Sequence, residues 1–460
     1  MYFRGKDRTL FEILNKSVCY IPKRIQNYTH DYYVYKQIVR IMFEGGKPSD
    51  EIASYSYLSR TLSYAYKNIP YFHEFSFLSD VTTLNVLKKL KMLPLLDKEL
   101  IRSQGDRMHL QIDLTNSGMG HTGGTTGKPL DFYYGRADER SHQIALYEYM
   151  TGIKFKGNFD VEGAIVSFGG TRLQETDIFN HVYWQKSKPG IYGSYDFSNL
   201  YMLPDNIYYY FQKLKEINPK ILRGYSNTIL KLAKFYEEAG FINIHPLAIY
   251  VTSEYCSLDS MKYISSVFNC PVYGQYGQNE ACHFAWTEAN SDVYYCSPYY
   301  GFVEVVDENG DWVKEGDFGE VVVTSFGNKT QPFIRYKTGD YVRYGGRHNG
   351  IVILDKLIGR NSDYLINSDN EKVYTAGIVD IHYLNCQSRI LQFQIEQTVP
   401  GKVVFKIVRK KGFSMADEKE LFLLMKSIKI TPDFKYMDSI PLTPRGKEKH
   451  IVQHIKKNVG

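Results

Sequence analysis

The stretch His121-Thr-Gly-Gly-Thr-Thr-Gly-Lys-Pro129 is dense in glycine and hydroxyl side chains. Such a loop turns successive backbone N–H groups toward one anion. Its threonine hydroxyls add donors, and Lys128 adds a point charge. A triphosphate calls for that combination. A Walker loop is excluded, because Pro129 stands where that motif needs Ser or Thr after the lysine. A second group, Tyr276-Gly-Gln-Asn-Glu280, follows an apolar run. A carboxylate at the C-terminal end of a strand lies where α/β sheets bind ligands. Glu280 is thus a candidate ligand for Mg²⁺, which takes one or two carboxylates plus phosphate oxygens. A third group, Arg335-Tyr-Lys-Thr-Gly-Asp340, sets a carboxylate beside a glycine, suited to the two hydroxyls of a ribose. The fourth is Gly359-Arg360, and the fifth Pro441-Leu-Thr-Pro-Arg-Gly-Lys447. A lysine after a glycine on a small mobile unit can be delivered onto a developing charge. Taken singly, each group has a plainer reading: a glycine-rich turn, a solvated glutamate, an aspartate at a tight bend, a solvated basic tail.

The elements needed to position these groups are readable from periodicity. Ser49-Asp-Glu-Ile52 starts a helix that carries Leu58, Leu62 and Tyr66 at helical spacing until Asn68-Ile-Pro70 stops it. A second helical stretch closes at Lys91-Met-Leu-Pro94. Strands are expected over 164–168, 221–222, 247–252 and 272–276, with helices over 207–217, 228–239 and 257–268 between them. That alternation argues for α/β layering with parallel strands. After Tyr299 the sequence turns β-rich: 301–306, a turn at Glu308-Asn-Gly310, then 319–324. A boundary falls near Arg360. Strands over 391–397 and 402–408, a helix over 415–428, a short strand and a basic tail then suggest a small α+β domain.

The order of the five groups resembles that of the adenylate-forming enzymes: acyl-CoA synthetases, aryl-acid ligases and adenylation domains. The resemblance covers nearly the whole chain. Its nearest branch is the phenylacetate–CoA ligase family with its CapK-like members, named for capsular polysaccharide synthesis. Further echoes of that branch are Asn68-Ile-Pro-Tyr71, Leu93-Pro-Leu-Leu-Asp-Lys98, Arg223-Gly-Tyr225, Thr252-Ser-Glu254, Gly319-Glu320, Pro332-Phe-Ile-Arg-Tyr336 and Gly359-Arg-Asn-Ser-Asp-Tyr-Leu365. The resemblance implies an α/β fold: a large multi-subdomain body over 1–361 that binds ATP and a carboxylic acid, and a small mobile α+β domain over 362–460. It implies Thr122, Gly123, Thr125, Thr126 and Lys128 on a phosphate loop. Tyr276 would stack near adenine, flanked by Gly277 and Asn279, and Glu280 would serve Mg²⁺. Asp340 would bind the ribose, with Arg360 supporting the nucleotide. Ser253, Glu254 and Gly274 would line the acid pocket, and Lys447 would stabilise the charge that develops in adenylation. Two positions depart from the family pattern. Asn279 replaces the usual Thr or Ser, and Ser362 stands at a hinge position that is often Asp or Lys. Some relatives bind structural zinc. Here Cys256, Cys282, His283 and Cys296 are irregularly spaced, so buried free thiols are the expectation and zinc is not.

Bulk properties agree. Of 460 residues, 43% are hydrophobic, enough for more than one core. The net charge of +6 suits attraction to a polyanion such as ATP without demanding a nucleic-acid partner. No apolar run is long enough for a membrane span, and the six cysteines suggest no disulfide framework. A cytoplasmic protein is expected. The expected reaction is activation of a carboxylic acid by MgATP as an acyl-adenylate, releasing pyrophosphate, followed by transfer to an acceptor. That acceptor is coenzyme A, or an amine or hydroxyl of a polysaccharide precursor. Two rivals stand beside this reading: an inactive nucleotide-binding scaffold, and a glycan- or membrane-binding protein suggested by 40 Tyr and the basic tail. The acid and the oligomeric state stay open.

Overall fold

A computed structural model describes residues 30–111, 118–122, 129–133, 139–154, 163–188, 190–240, 243–360, 364–374, 386, 389–443 and 446–455. Two helices lead, His30–Glu44 and Pro48–Asn68. The second begins where Pro48 fixes the first turn and the Asp50 carboxylate caps the Lys47 N–H at 2.7 Å. It buries Leu58, Leu62 and Ala65 along one face, and it ends at Asn68, before Ile69-Pro70. Short helices Val86–Lys91 and Lys98–Gln104 follow.

Strands β1 (Met119–His121) and β2 (Asp131–Tyr133) pair antiparallel. Next in chain order come β3 (Ile165–Gly169), β4 (Trp184–Lys186), β5 (Tyr195–Ser198), β6 (Ile221–Tyr225), β7 (Ala248–Thr252) and β8 (Val272–Gly277). They are followed by β9 (Phe284–Thr287), β10 (Tyr294–Cys296), β11 (Gly301–Val306), β12 (Phe318–Ser325), β13 (Tyr336–His348) and β14 (Ile351–Arg360). β3 to β14 form one twelve-stranded sheet in the order β4-β5-β3-β6-β7-β8-β9-β10-β14-β13-β12-β11. The run β5-β3-β6-β7-β8 is parallel, and from β8 onward every neighbour is antiparallel. The expected parallel α/β layering is therefore one half of a larger mixed sheet. Helices Ser226–Ala239 and Leu258–Phe268 are the crossovers β6–β7 and β7–β8.

Alternation along the parallel strands shows that both faces are covered. Val166, Leu222, Ile249 and Val251 pack with Ile229, Leu232, Met261 and Ile264 of the crossovers. Their sequence neighbours Ile165, Ile221 and Tyr250 pack with Val34, Ile38, Leu146 and Tyr147. The antiparallel half packs on Leu58, Leu62, Val86 and Leu90 from the N-terminal helices.

After Arg360 the described chain resumes with β15 (Tyr364–Ile366) and β16 (Lys372–Tyr374), an antiparallel pair. β17 (Ile390–Val399), β18 (Lys402–Arg409), β19 (Thr431–Tyr436) and β20 (Ile451–Gln453) form a separate sheet, ordered β19-β18-β17-β20. It has its own core, with Ile395, Phe405 and Ile407 against Leu421 and Met425 of the helix Met415–Ser427. The basic tail is not wholly solvated, because β20 within it pairs parallel with β17.

One buried arginine ties the N-terminal layer to the big sheet. Arg335 is 4% exposed and holds a positive φ of 50°. Its guanidinium donates to the carbonyls of Leu93 at 2.8 Å and Gly310 at 3.1 Å, and pairs with Glu304 at 3.1 Å. Its own carbonyl accepts from Leu96 N–H at 2.9 Å. Burial pushes the Glu304 carboxyl up, and Arg335 opposes that shift. Arg335→Met should therefore leave the buried Glu304 without its ion-pair partner, holding the Trp312 indole N–H at 2.7 Å, at a cost of about 3 kcal/mol. Chemical denaturation checks this; a loss under about 1 kcal/mol would mean the contact is dispensable.

Candidate active site

The reversal of strand direction after β8 creates the site. β8 ends at Gly277, and the chain turns through Gln278–His283 into β9. Ala281, at φ 52°, takes the left-handed conformation that the turn needs. Glu280 sits in this turn, 6% exposed. Its Oε1 accepts from the Tyr336 hydroxyl at 2.9 Å, and Oε2 takes no hydrogen bond from a described residue. Asn279 donates to the His121 carbonyl at 3.3 Å, which brings this turn to the start of the glycine-rich loop. Thr122 closes the neck of that loop. Its N–H and its Oγ1 bond the Leu130 carbonyl and N–H, each at 2.9 Å, and its side chain is buried. Thr122 thus braces the loop; Gly123, Thr125, Thr126 and Lys128 lie outside the described residues.

Asp340 and Arg360 are cross-strand partners on β13 and β14. Arg360 Nε lies 3.5 Å from Asp340 Oδ1, and the Tyr276 hydroxyl donates to Oδ2 at 2.8 Å. The Tyr276 ring is 4.4 Å from the His283 ring. Burial drops the His283 pKa to about 3, so that imidazole is neutral, and neither ring nitrogen has a partner among the described residues. A Cβ at Gly277 would lie 2.6 Å from Gln275 Nε2 and 3.2 Å from the His283 carbonyl, so a side chain there would have to displace the Gln275 amide. The sequence did not single out Lys98 for a role. Burial lowers its pKa, Glu280 and Asp340 oppose that shift, and Arg360 adds to it. Two carboxylates and two cations thus act on one another at the edge of the sheet. The available signal was Asp97, which caps the helix Lys98–Gln104 by accepting from Leu100 N–H at 2.7 Å and so fixes Lys98 in its first turn.

Lys447 reaches the same C-terminal edge of the parallel strands from the other sheet. Its Nζ donates to the Ser253 carbonyl at 2.9 Å and lies 5.4 Å from the centre of the Tyr225 ring. Ser253, at φ 68°, is exposed just past β7. Glu254 beside it is half-buried, and burial lifts its carboxyl to about 7, with Glu448 adding to the shift and Lys447 opposing it. The loop before Lys447 is seated by Asn199, which donates to the Gly446 carbonyl at 2.6 Å and to Thr228 Oγ1 at 2.9 Å. Gly446 has φ 75°, and a Cβ there would collide with Asn199 Oδ1 and lie 2.5 Å from Gly170 Cα. Gly274 is not brought to this edge. It lies under the Tyr294 hydroxyl, Thr287 and Met261, so packing within the sheet accounts for it. Ser362 lies outside the described residues. Cys256, Cys282 and Cys296 are buried free thiols. Among the described residues, no group of three or more His, Cys, Asp or Glu is placed to hold a metal ion, and no helix is long and apolar enough to cross a membrane.

No family model matches the chain. It is 26% identical over 379 residues to Protein CapK of Staphylococcus aureus, covering 80% of this chain and 81% of that protein. Among solved structures it is similar to 2-hydroxyisobutyryl-CoA ligase in the postadenylation state with 2-HIB-AMP. That match has a TM-score of 0.64 and 16% identity, over 88% of this chain and 89% of the other. It is also similar to the GH3.15 acyl acid amido synthetase in complex with 2,4-DB, with a TM-score of 0.55 and 15% identity over 87% and 89% of the two chains. The chain has the fold of the adenylate-forming ligases.

The seating of Lys447 depends on Gly446 having no side chain. Gly446→Ala should unseat it, through a left-handed penalty of about 1–2 kcal/mol plus the collision. Hydrogen exchange should speed up by about tenfold or more at 446–450 while the twelve-stranded sheet stays protected. Unchanged exchange at 446–450 would show that the loop tolerates a side chain.

Proposed function

We propose that this adenylate-forming fold activates a carboxylic acid with MgATP. A carboxylate oxygen attacks the α-phosphorus, the bond from that phosphorus to the bridging oxygen breaks, pyrophosphate leaves, and an acyl-AMP remains. The observation that carries the reading is Lys447, held by a separate sheet yet delivered to Ser253 and Tyr225 at the C-terminal edge of the parallel strands. Two anions must meet in this reaction, so a positioned ammonium that acts on the developing charge has a direct use. Asp340, oriented by Tyr276 and Arg360, would accept hydrogen bonds from ribose hydroxyls. Glu280 fits a magnesium ligand because one carboxylate oxygen is fixed by Tyr336 and the other takes no bond from a described residue. Magnesium bound there would offset phosphate charge.

Acyl transfer then releases AMP. A thiol, amine or hydroxyl attacks the acyl carbon and loses its proton, and AMP leaves with the bonding pair. Likeness to a CoA ligase and to an amido synthetase supports this step in general, and the acceptor we propose is an amine or hydroxyl of a polysaccharide precursor or coenzyme A. Residues 362–460 act as a lid that turns about Ser362, so that Lys447 withdraws before a bulky acceptor arrives.

Lys447→Ala should lower acid-dependent ATP–pyrophosphate exchange by about 100-fold while ATP affinity stays near wild type. Exchange within a few-fold of wild type would return Lys447 to a surface role.

Asp340→Ala should weaken AMP and ATP binding to a similar degree, by about 1.5–3 kcal/mol, since both carry the same ribose. Calorimetric titration reads this; equal affinities in variant and wild type would remove Asp340 from the nucleotide site.

A further inference from the structure

A cavity of about 480 Å³ opens beside the C-terminal ends of β3 and β6 and the start of β5. Its described walls include Asp196, Ser167, Thr171, Tyr192, Arg223 and Tyr225. Three of them stand in one row across the sheet. Asp196 of β5 is in register with Ser167 of β3, and Ser167 is in register with Arg223 of β6. Neighbouring strands are about 4.8 Å apart, so the carboxylate and the guanidinium are anchored roughly 10 Å apart with a serine between them. They face one cavity, and the Arg223 charge opposes the upward shift that burial gives Asp196.

Arg223 is flanked by aromatic rings, and the Glu139 carboxylate acts on its charge. Its guanidinium lies 4.8 Å from the Tyr192 ring centre and 5.2 Å from that of Tyr250, between two aromatic faces. Its Nε is buried and has no hydrogen-bond partner among the described residues. An enclosed guanidinium with an open donor is matched best by a carboxylate or phosphate, which its planar fork can bind with two parallel hydrogen bonds. The opposite wall differs. Asp196 accepts from the Thr171 hydroxyl, and burial raises its pKa.

The cavity also adjoins the lysine that the adenylation reading uses. Tyr225 lies two residues beyond Arg223, so both side chains project from the same face of β6. Lys447 Nζ is over the Tyr225 ring. Two strand residues span about 6.6 Å, which separates the reacting end from the Arg223 end by the length of a short carbon chain. We infer that the acid activated here carries a second acidic group, which Arg223 binds while the reacting carboxylate lies toward Lys447. Asp196 takes a hydroxyl or amine of the same molecule. The inference rests on the adenylation reading for the identity of the reacting end.

Acid-dependent ATP–pyrophosphate exchange tests it with matched probes: butanoate against butanedioate, and pentanoate against pentanedioate. Wild type should prefer the diacids, and Arg223→Met should lower that preference by about 30-fold, through KM. A wild-type preference for the monoacids, or the same preference in variant and wild type, would overturn the inference. Arg223→Lys keeps the charge and loses the fork, so it should show a smaller loss in the same direction even if Arg223→Met does not fold. Calorimetric titration with the same probes in the presence of AMP needs no turnover. If no acid drives exchange, the adenylation reading fails, yet tighter binding of the diacids that is lost in Arg223→Met would still sustain the pocket. Equal binding of mono- and diacids would refute it.

Discussion

The run β5-β3-β6-β7-β8 of the large sheet is parallel, and the change to antiparallel pairing on which the site depends falls at the turn after β8. β6 and β7 are each followed by a crossover helix that returns the chain to the same starting edge. At β8 the crossover stops, and the chain re-enters directly as β9. The Glu280 turn therefore shares an edge with the ends of β6 and β7. The antiparallel half is what brings Asp340 and Arg360 to that edge, opposite Tyr276. Arg335 completes the arrangement by fixing the segment that carries Lys98 against β13. Remove the reversal, and the carboxylates, the aromatic ring and the two cations have no common place to meet.

The contact between the small sheet and the body is built differently from either core. Its described bonds are polar: Lys447 to the Ser253 carbonyl, Asn199 to the Gly446 carbonyl, Asn227 to His450, and Lys234 to the Ile390 carbonyl at 2.5 Å. Burial brings the Lys234 ammonium down to about 8, with Glu448 opposing the shift. Charges held in a seam at such cost suit a contact that forms and releases, because each group regains water on separation. The two apolar cores, with Leu421 and Met425 on one side and Leu222 and Ile249 on the other, are distinct, and Leu391 of β17 packs across the seam against the second. A seam of this kind supports the proposed withdrawal of Lys447 between the two half-reactions.

Much of this was legible in the sequence, and what was not had a common cause. The helix Ile207–Ile217 and strand Gly301–Val306 lie where periodicity and turn residues set them, because those signals are local. The order of motifs pointed to the fold. The Arg335–Asp340 stretch, readable also as a tight bend, proves to open the long strand β13, whose register is shifted by irregularities that break the alternation. Nothing near Asn199 announces its bond to Gly446, 247 residues away. Nor does Tyr336 announce its hold on Glu280. In β20, only Ile451 and Val452 interrupt a polar tail, too short a pattern to show pairing with β17. Arg223 was visible as part of a motif, but its facing tyrosines come from distant segments.

The central claim is that the acid attacks the α-phosphorus of ATP. Isotope transfer tests it most directly. An acid that supports turnover is supplied with ¹⁸O in its carboxylate, and the nucleotide product is weighed by mass spectrometry. The account predicts AMP with one ¹⁸O in its phosphate, released together with unlabelled pyrophosphate. ADP with the label in inorganic phosphate would instead mean attack at the γ-phosphorus, and would contradict the account.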